Sequence, residues 1–313
     1  MRGIRLRSFF LQFCLPILLL ILSLVTITAN GARYMHNFLR GLPPVAGDND
    51  LWPWLWLSHH PRLFSSGFAF SLTLLAILLV HEFGHYFACR AHRIHCTLPF
   101  VIPAPTLSGT LGAVIRIQSF IPHRDALMDV GIYGPLPGFI ASVAAVFVGF
   151  TLSTPLAPRA PLPIVEFGGE PLVIRFAHRF LARGNPHLPA FNHLALHPVL
   201  LAGWIGLFIT ALNLIPGGQL DGGHILYALS PRAHKLVTML LPFVLLLAGV
   251  FYWAGWILWG IFLLVPAMRH PRVPQHTQLT TARAMLGALG VLLFILTFTP
   301  TPFHDNSLLD LLR

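Results

Sequence analysis

The chain has 313 residues, 55% of them hydrophobic and 10% charged, against about 25% charged residues in an ordinary soluble domain, which places it among integral membrane proteins and excludes a soluble globular class. Its net charge of +10 comes from 19 arginines and one lysine against ten acids, and most of these bases lie between apolar runs, where they suit anionic headgroups rather than nucleic acid. Three cysteines without paired spacing support neither a disulfide framework nor a cysteine-rich zinc knuckle.

A bilayer core of about 30 Å needs roughly 20 apolar helical residues. Seven stretches approach that length, at 9–29, 67–88, 131–152, 199–215, 236–253, 254–268 and 284–298. The first follows "MRGIRLR" and precedes "ITANGA", a pattern that imitates a secretory signal, but its apolar run is too long for an h-region and it reads as an uncleaved anchor. With Arg2, Arg5 and Arg7 in the cytoplasm, alternating topology puts twelve of the twenty bases on that side and the second stretch runs inward. That stretch carries "HEFGH", His81 to His85, near its cytoplasmic end.

Beyond it, residues 97–118 mix Pro and Gly turns with an alternating run, Leu111, Ala113, Ile115 and Ile117 against Gly112, Val114 and Arg116, which predicts a hairpin at the membrane face. Residues 169–184 set Arg175, His178, Arg179 and Arg183 at helical spacing opposite Leu172, Phe176 and Phe180, which predicts a basic amphipathic helix resting on the bilayer. The fourth stretch is interrupted by Asn213 and Pro216, and the glycines of "LNLIPGGQLDGGH" allow turns that carry Asp221 back toward the helices. The fifth and sixth stretches form a tight hairpin or one interrupted unit. His59, His60, His187, His270 and His276 fall in Pro-rich or Trp-rich loops and read as interfacial and chemically idle.

Among the ten acids, Glu82 lies inside an apolar stretch and Asp221 closely follows another. An intramembrane carboxylate costs about 3 kcal/mol or more unless paired or metal-bound, so both are candidates for function. On a helix, positions four apart differ by about 40°, so His81 and His85 can reach one ion with Glu82 beside it. Zinc takes two His nitrogens readily and a catalytic site wants a third protein ligand, for which Asp221 is the best candidate. Zinc brings the pKa of a held water to about 7, Glu82 is placed to take its proton and pass it to a leaving amine, and Asn213 is placed to hydrogen-bond the substrate backbone or a developing oxyanion.

Each motif also has a plainer reading. A five-residue HExxH match arises by chance in unrelated chains, Asn213 alone can be a helix breaker, and His224 reads as interfacial or as support for Asp221. His92, His95 and Cys96 lie past the helix end and read as a headgroup-level loop rather than a second metal cluster, and Cys89 reads as packing. A membrane ion transporter coordinating its cargo through His81, His85 and Asp221 is the rival from another class. It would ordinarily show more polar ligands along other helices. A catalytically dead scaffold is the third reading.

"HEFGH" and "LNLIPGGQLDGG" together resemble the site-2 protease family of intramembrane zinc metalloproteases, whose signatures are HExxH in one transmembrane helix and LNxxPxxxLDGG in a later segment. The stretches from Gly109 to Phe139 and from His197 to His224 resemble, more narrowly, the branch holding the chloroplast ethylene-dependent gravitropism-deficient and yellow-green proteases and their bacterial relatives. The resemblance implies a single Zn2+ held by His81, His85 and Asp221, with Glu82 as general base. It implies that the strand from Thr110 to Ile117, with Thr110, Gly112 and Val114, and Asn213 beside it, receives an extended substrate by β-augmentation. Gly134, Pro135 and Gly138 match the Gly-rich third core helix. The branch lacks a PDZ insertion, and the missing plant leader favours a bacterial plasma membrane.

The expectation is an all-α polytopic membrane protein of about seven transmembrane helices with a small membrane-associated β element. It divides into an anchor and loop at 1–64, a catalytic core at 65–230 and C-terminal helices at 231–313. Its expected activity is cleavage of transmembrane protein substrates near the cytoplasmic side.

Overall fold

The computed structural model describes residues 13–167, 169–185, 188–265, 270–271, 273, 279–304 and 306–312. The Arg2, Arg5 and Arg7 cluster, Arg269, Arg272, His187, His276 and the ends of the first and sixth stretches at 9 and 268 lie outside the described residues.

Helix α1 (Leu15–Leu39) outruns the expected apolar stretch by ten residues. Its outer side is Ile17, Leu18, Ile21, Leu22 and Val25, all exposed, whereas Ser23, Thr28, Asn30, Tyr34 and Asn37 are buried on the inner side. The helix continues past Ala29 because those polar groups have partners: Asn37 Nδ2 donates to the Pro44 carbonyl and to Asp50, and Arg33 forms an ion pair with the buried Asp50 carboxylate. Asp50, a loop acid by sequence, is therefore an internal anchor.

A 3₁₀ turn (Pro61–Gly67) leads into α2 (Phe68–Ala91). The expected hairpin follows as β1 (Phe100–Pro103) and β2 (Thr110–Val114), antiparallel, with Phe100 opposite Val114. Side chains of α1 satisfy its turn: Ser23 Oγ donates to the Val101 carbonyl at 3.0 Å, Thr26 Oγ1 to Gly109 at 2.6 Å and Asn30 Nδ2 to Thr106 at 2.7 Å. Irregular backbone at membrane depth needs such internal partners, since lipid offers none.

The third stretch starts seven residues before its expected boundary, as α3 (Arg124–Tyr133), and continues after Gly134 as α4 (Pro135–Leu152). The His123 side chain accepts from the Ala126 N–H and Asp125 occupies the first turn, so capping extends the helix where hydropathy alone does not. The basic segment is α5 (Leu172–Gly184), as its periodicity predicts. A second small sheet pairs β3 (Thr154–Pro155) with β4 (Leu194–Ala195).

Helix α6 (Pro198–Asn213) buries most of its length, with Leu200, Leu201, Trp204 and Leu207 inside a core shared with α1, α2, α4 and α5. Then come α7 (Asp221–Leu229), α8 (Pro231–Phe251), α9 (Gly255–Leu264) and α10 (Thr281–Thr297). The fifth and sixth stretches are thus two helices closed by a turn at 252–254, the hairpin alternative. A second core joins α3, α7 and α10 through Leu127, Ile132, Ile225 and Leu293.

The protein is mostly helical. Four described helices or helical runs, Leu15–Leu39, Pro61–Ala91, Arg124–Leu152 and Pro231–Phe251, are long and apolar enough to cross a membrane, and Pro198–Asn213, Gly255–Leu264 and Thr281–Thr297 are shorter apolar helices.

Candidate metal centre

The HEFGH turn of α2 buries His81, Glu82 and His85 together. After α6 ends at Asn213, the chain turns through Gly218, whose φ of +59° suits glycine, and an extended Leu220 before Asp221 opens α7. This turn brings the Asp221 carboxylate to 3.2 Å from His81 Nε2 and 3.3 Å from His85 Nε2. Donors about 2.0–2.2 Å from a tetrahedral zinc stand about 3.3–3.4 Å from one another, so the two spacings fit such an ion. Among the described residues these three form the one group of His, Cys, Asp or Glu that converges in this way.

Backbone carbonyls only accept, so His85 Nδ1 donates its hydrogen to the Val130 carbonyl at 2.7 Å and leaves the Nε2 lone pair facing the Asp221 side. Two glycines let the α3–α4 junction lie against these rings. A Cβ on Gly134 would collide with the His85 imidazole, and one on Gly138 would stand 2.9 Å from His81 Nδ1. Neither contact is visible in the HEFGH motif itself.

Glu82, His85, Asn213 and Asp221 line a cavity of about 180 Å³ with Ala113, Val114, Ile115, Ile117, Val130, Gln219, Leu220 and His224. Asn213 Nδ2 lies 3.3 Å from His81 Nε2, so the end of α6 sits at the ligand cluster. Ile115 and Glu82 line this cavity together. Of the three strand residues singled out by resemblance, Val114 lines this cavity; Thr110 is buried with its hydroxyl donated to the Ile102 carbonyl at 2.7 Å, and Gly112 adopts φ +102° with open space beyond it. Ala113, Ile115 and Ile117 join Val114 there, and their alternation in the sequence was the signal for them. Among the described residues β2 pairs only with β1, which leaves its second edge unpaired.

A second cavity of about 540 Å³ adjoins the first, sharing Ile115, Ile117, Gln219 and His224 and adding His270. His270, a loop histidine by sequence, stacks on Tyr227 at 4.2 Å and lies 2.9 Å from His224. Burial holds its pKa down at about 4, so it is neutral at pH 7. Among the described residues His92 joins no metal cluster: its Nε2 lies 2.7 Å from Asp129, which also takes a bidentate contact from Arg283. Cys89 is buried in a small cluster with Ile94, Ala126 and Val130, in keeping with its packing role.

The sequence pattern of peptidase family M50 matches residues 69–251, a span that contains both motifs. The chain is similar to probable zinc metalloprotease EGY1, chloroplastic, of Arabidopsis thaliana, at 31% identity over 72% of this chain and 42% of the relative. It is also similar to the EGY1 protein of Oryza sativa subsp. japonica, at 32% over 76% and 41%, and to the EGY2 protein of Oryza sativa subsp. indica, at 32% over 80% and 46%. The chain thus spans less than half the length of these relatives.

Proposed function

Because the chain belongs to peptidase family M50, we propose that it is an intramembrane zinc endopeptidase that hydrolyses peptide bonds within or near transmembrane segments of other proteins. The observation that carries this reading is the convergence of Asp221 on His81 and His85, beside Glu82 and a cavity, with both histidines and Glu82 on a helical run long and apolar enough to span a bilayer. The donor set suits zinc, with two imidazoles and one carboxylate leaving a tetrahedral position open. When bound there, zinc would polarise a peptide carbonyl and acidify a water.

The residues of the chain supply the rest. Glu82 accepts a proton on its carboxylate and returns it to the leaving amine. Asn213 presents its amide to the substrate carbonyl. The free edge of β2, with Thr110, Gly112 and Val114, takes an extended substrate by backbone pairing, and the apolar wall of Ala113, Ile115 and Ile117 excludes bulk water. A substrate helix hides its carbonyls in its own hydrogen bonds, so it must unwind locally before it can pair. Residues 65–230 form the catalytic core, flanked by 1–64 and 231–313; the four long apolar runs cross the bilayer and the three shorter apolar helices complete the bundle within it, with the centre toward the more basic, cytoplasmic side.

The test compares the parent chain with Glu82→Gln in liposomes, measuring bound zinc and cleavage of a transmembrane substrate. Zinc retained with cleavage reduced by about 10²-fold or more supports the general-base role. Equal cleavage in both would overturn it, and ion flux in both without cleavage would establish a transporter instead.

A further inference from the structure

Helix α5 has three faces rather than two. Ile174 and Ala177 are buried against the protein, Phe176 and Phe180 are 57% and 61% exposed, and Arg175, Arg179 and Arg183 are all exposed. The arginines stand four residues apart, so they form one stripe spanning two turns, about 12 Å along the helix. Helix α5 contains no acid, and no carboxylate among the described residues lies within ion-pair distance of the three. His178 Nε2 donates to the Pro189 carbonyl at 2.8 Å and ties the helix down on its protein side.

Helix α5 packs against both α4 and α10. Phe180 packs edge-on against Phe147 at 6.0 Å, and His178 lies against Phe150. Phe147 lies nine residues beyond Gly138 and thirteen beyond Gly134, about 14–20 Å along α4 from the histidines that those glycines touch. Helix α5 therefore lies toward the membrane face opposite the metal centre. Val148 and Leu152 of α4 are exposed, as Phe176 and Phe180 of α5 are, and Phe180 touches α4 through Phe147. Three arginines without an ion pair among the described residues run, on this face, against the positive-inside bias of the rest of the chain, so charge distribution alone does not account for them.

We propose that α5 is a docking surface for anionic phospholipid in the leaflet opposite the catalytic centre, with Arg175, Arg179 and Arg183 holding headgroup phosphates and Phe176 and Phe180 inserted among the upper acyl carbons. Phospholipid is the occupant that is anionic and apolar on adjacent edges, as this helix requires. An acidic peptide would match the arginines and leave the phenylalanines uncovered. At about fivefold per arginine near a charged surface, three arginines give a preference of roughly a hundredfold for anionic over zwitterionic lipid.

The experiment is native mass spectrometry of the purified full chain in neutral detergent, titrated with dioleoylphosphatidylglycerol or dioleoylphosphatidylcholine. The expected result is retention of the glycerol lipid at much lower concentration, with the difference removed in Arg175→Gln/Arg179→Gln/Arg183→Gln and kept in Arg90→Gln/Arg93→Gln on the other face. An undiminished preference in the triple variant, or its equal loss in the Arg90/Arg93 variant, would overturn the assignment. If the triple variant does not fold, the parent's preference must fall steeply between 0.1 and about 0.5 M salt, as screening requires; a salt-independent preference overturns the proposal too. Tighter binding of an Asp-rich peptide than of the anionic lipid would replace phospholipid with a protein partner.

Discussion

Substituting Gly138 by alanine separates metal affinity from stability. A Cβ there would stand 2.9 Å from His81 Nδ1, 3.1 Å from His81 Cβ and 3.3 Å from Cγ. Optimal non-bonded separation is about 3.5 Å, so the ring or the helix carrying it must retreat by about 0.6 Å. Rotating the imidazole does not relieve the Cβ contact, so α2 itself must shift. Metal–ligand distances tolerate about 0.2 Å, and losing ligand support typically lowers affinity by 10- to 100-fold. Stability moves less, because overpacking of about 1–3 kcal/mol is offset by the helix preference of alanine over glycine, about 1 kcal/mol. The assay is zinc competition against a calibrated chelator, with thermal unfolding run in parallel. Parent-like zinc affinity in Gly138→Ala would refute the reasoning, since it would mean that α4 does not press on His81. Gly112→Ala is the control: its φ of +102° makes alanine strained, yet nothing lies within 4 Å of the added carbon, so stability falls while zinc binding holds.

Asp50→Ala strands Arg33 and leaves Asn37 and the N–H groups of Ala46 and Gly47 without their acceptor, so unfolding should become easier by about 3–5 kcal/mol, read as a lower thermal midpoint. The folded-state pKa of His270 lies below its unfolded value of 6.5, so its contribution is complete above about pH 6.5 and is lost as pH falls toward 4. In His270→Phe the midpoint should fall less over that pH interval; an identical slope in parent and variant would show that His270 does not titrate on unfolding.

Much of the candidate ligand group was legible because it rests on two local rules. Residues four apart share a helix face, which pairs His81 with His85, and a glycine-rich break after an apolar helix allows a carboxylate to return toward it. Likewise, alternation from Leu111 to Ile117 announced the hairpin, and the spacing of Arg175, His178, Arg179 and Arg183 against Leu172, Phe176 and Phe180 announced α5, although His178 turns inward to the Pro189 carbonyl. Helix ends were less legible. Hydropathy stops at Ala29, whereas α1 runs on to Leu39 because buried partners satisfy its polar residues.

The linear chain thus determined its membrane character, the periodicity of its elements and the chemical types that can hold a metal, since each follows from composition or from neighbours within one or two turns. Tertiary structure alone decided that Asp221 stands 3.2 Å from a histidine 140 residues earlier, that the Val130 carbonyl selects the His85 tautomer, and that Gly134 and Gly138 make room for both rings. It also turned Asp129 into the partner of His92 and Arg283, and it made the polar side of α1 the support of the hairpin. The physical reason is common to all of these. A buried polar group must find a partner wherever packing places one, and no local pattern in a sequence encodes which distant backbone will arrive there.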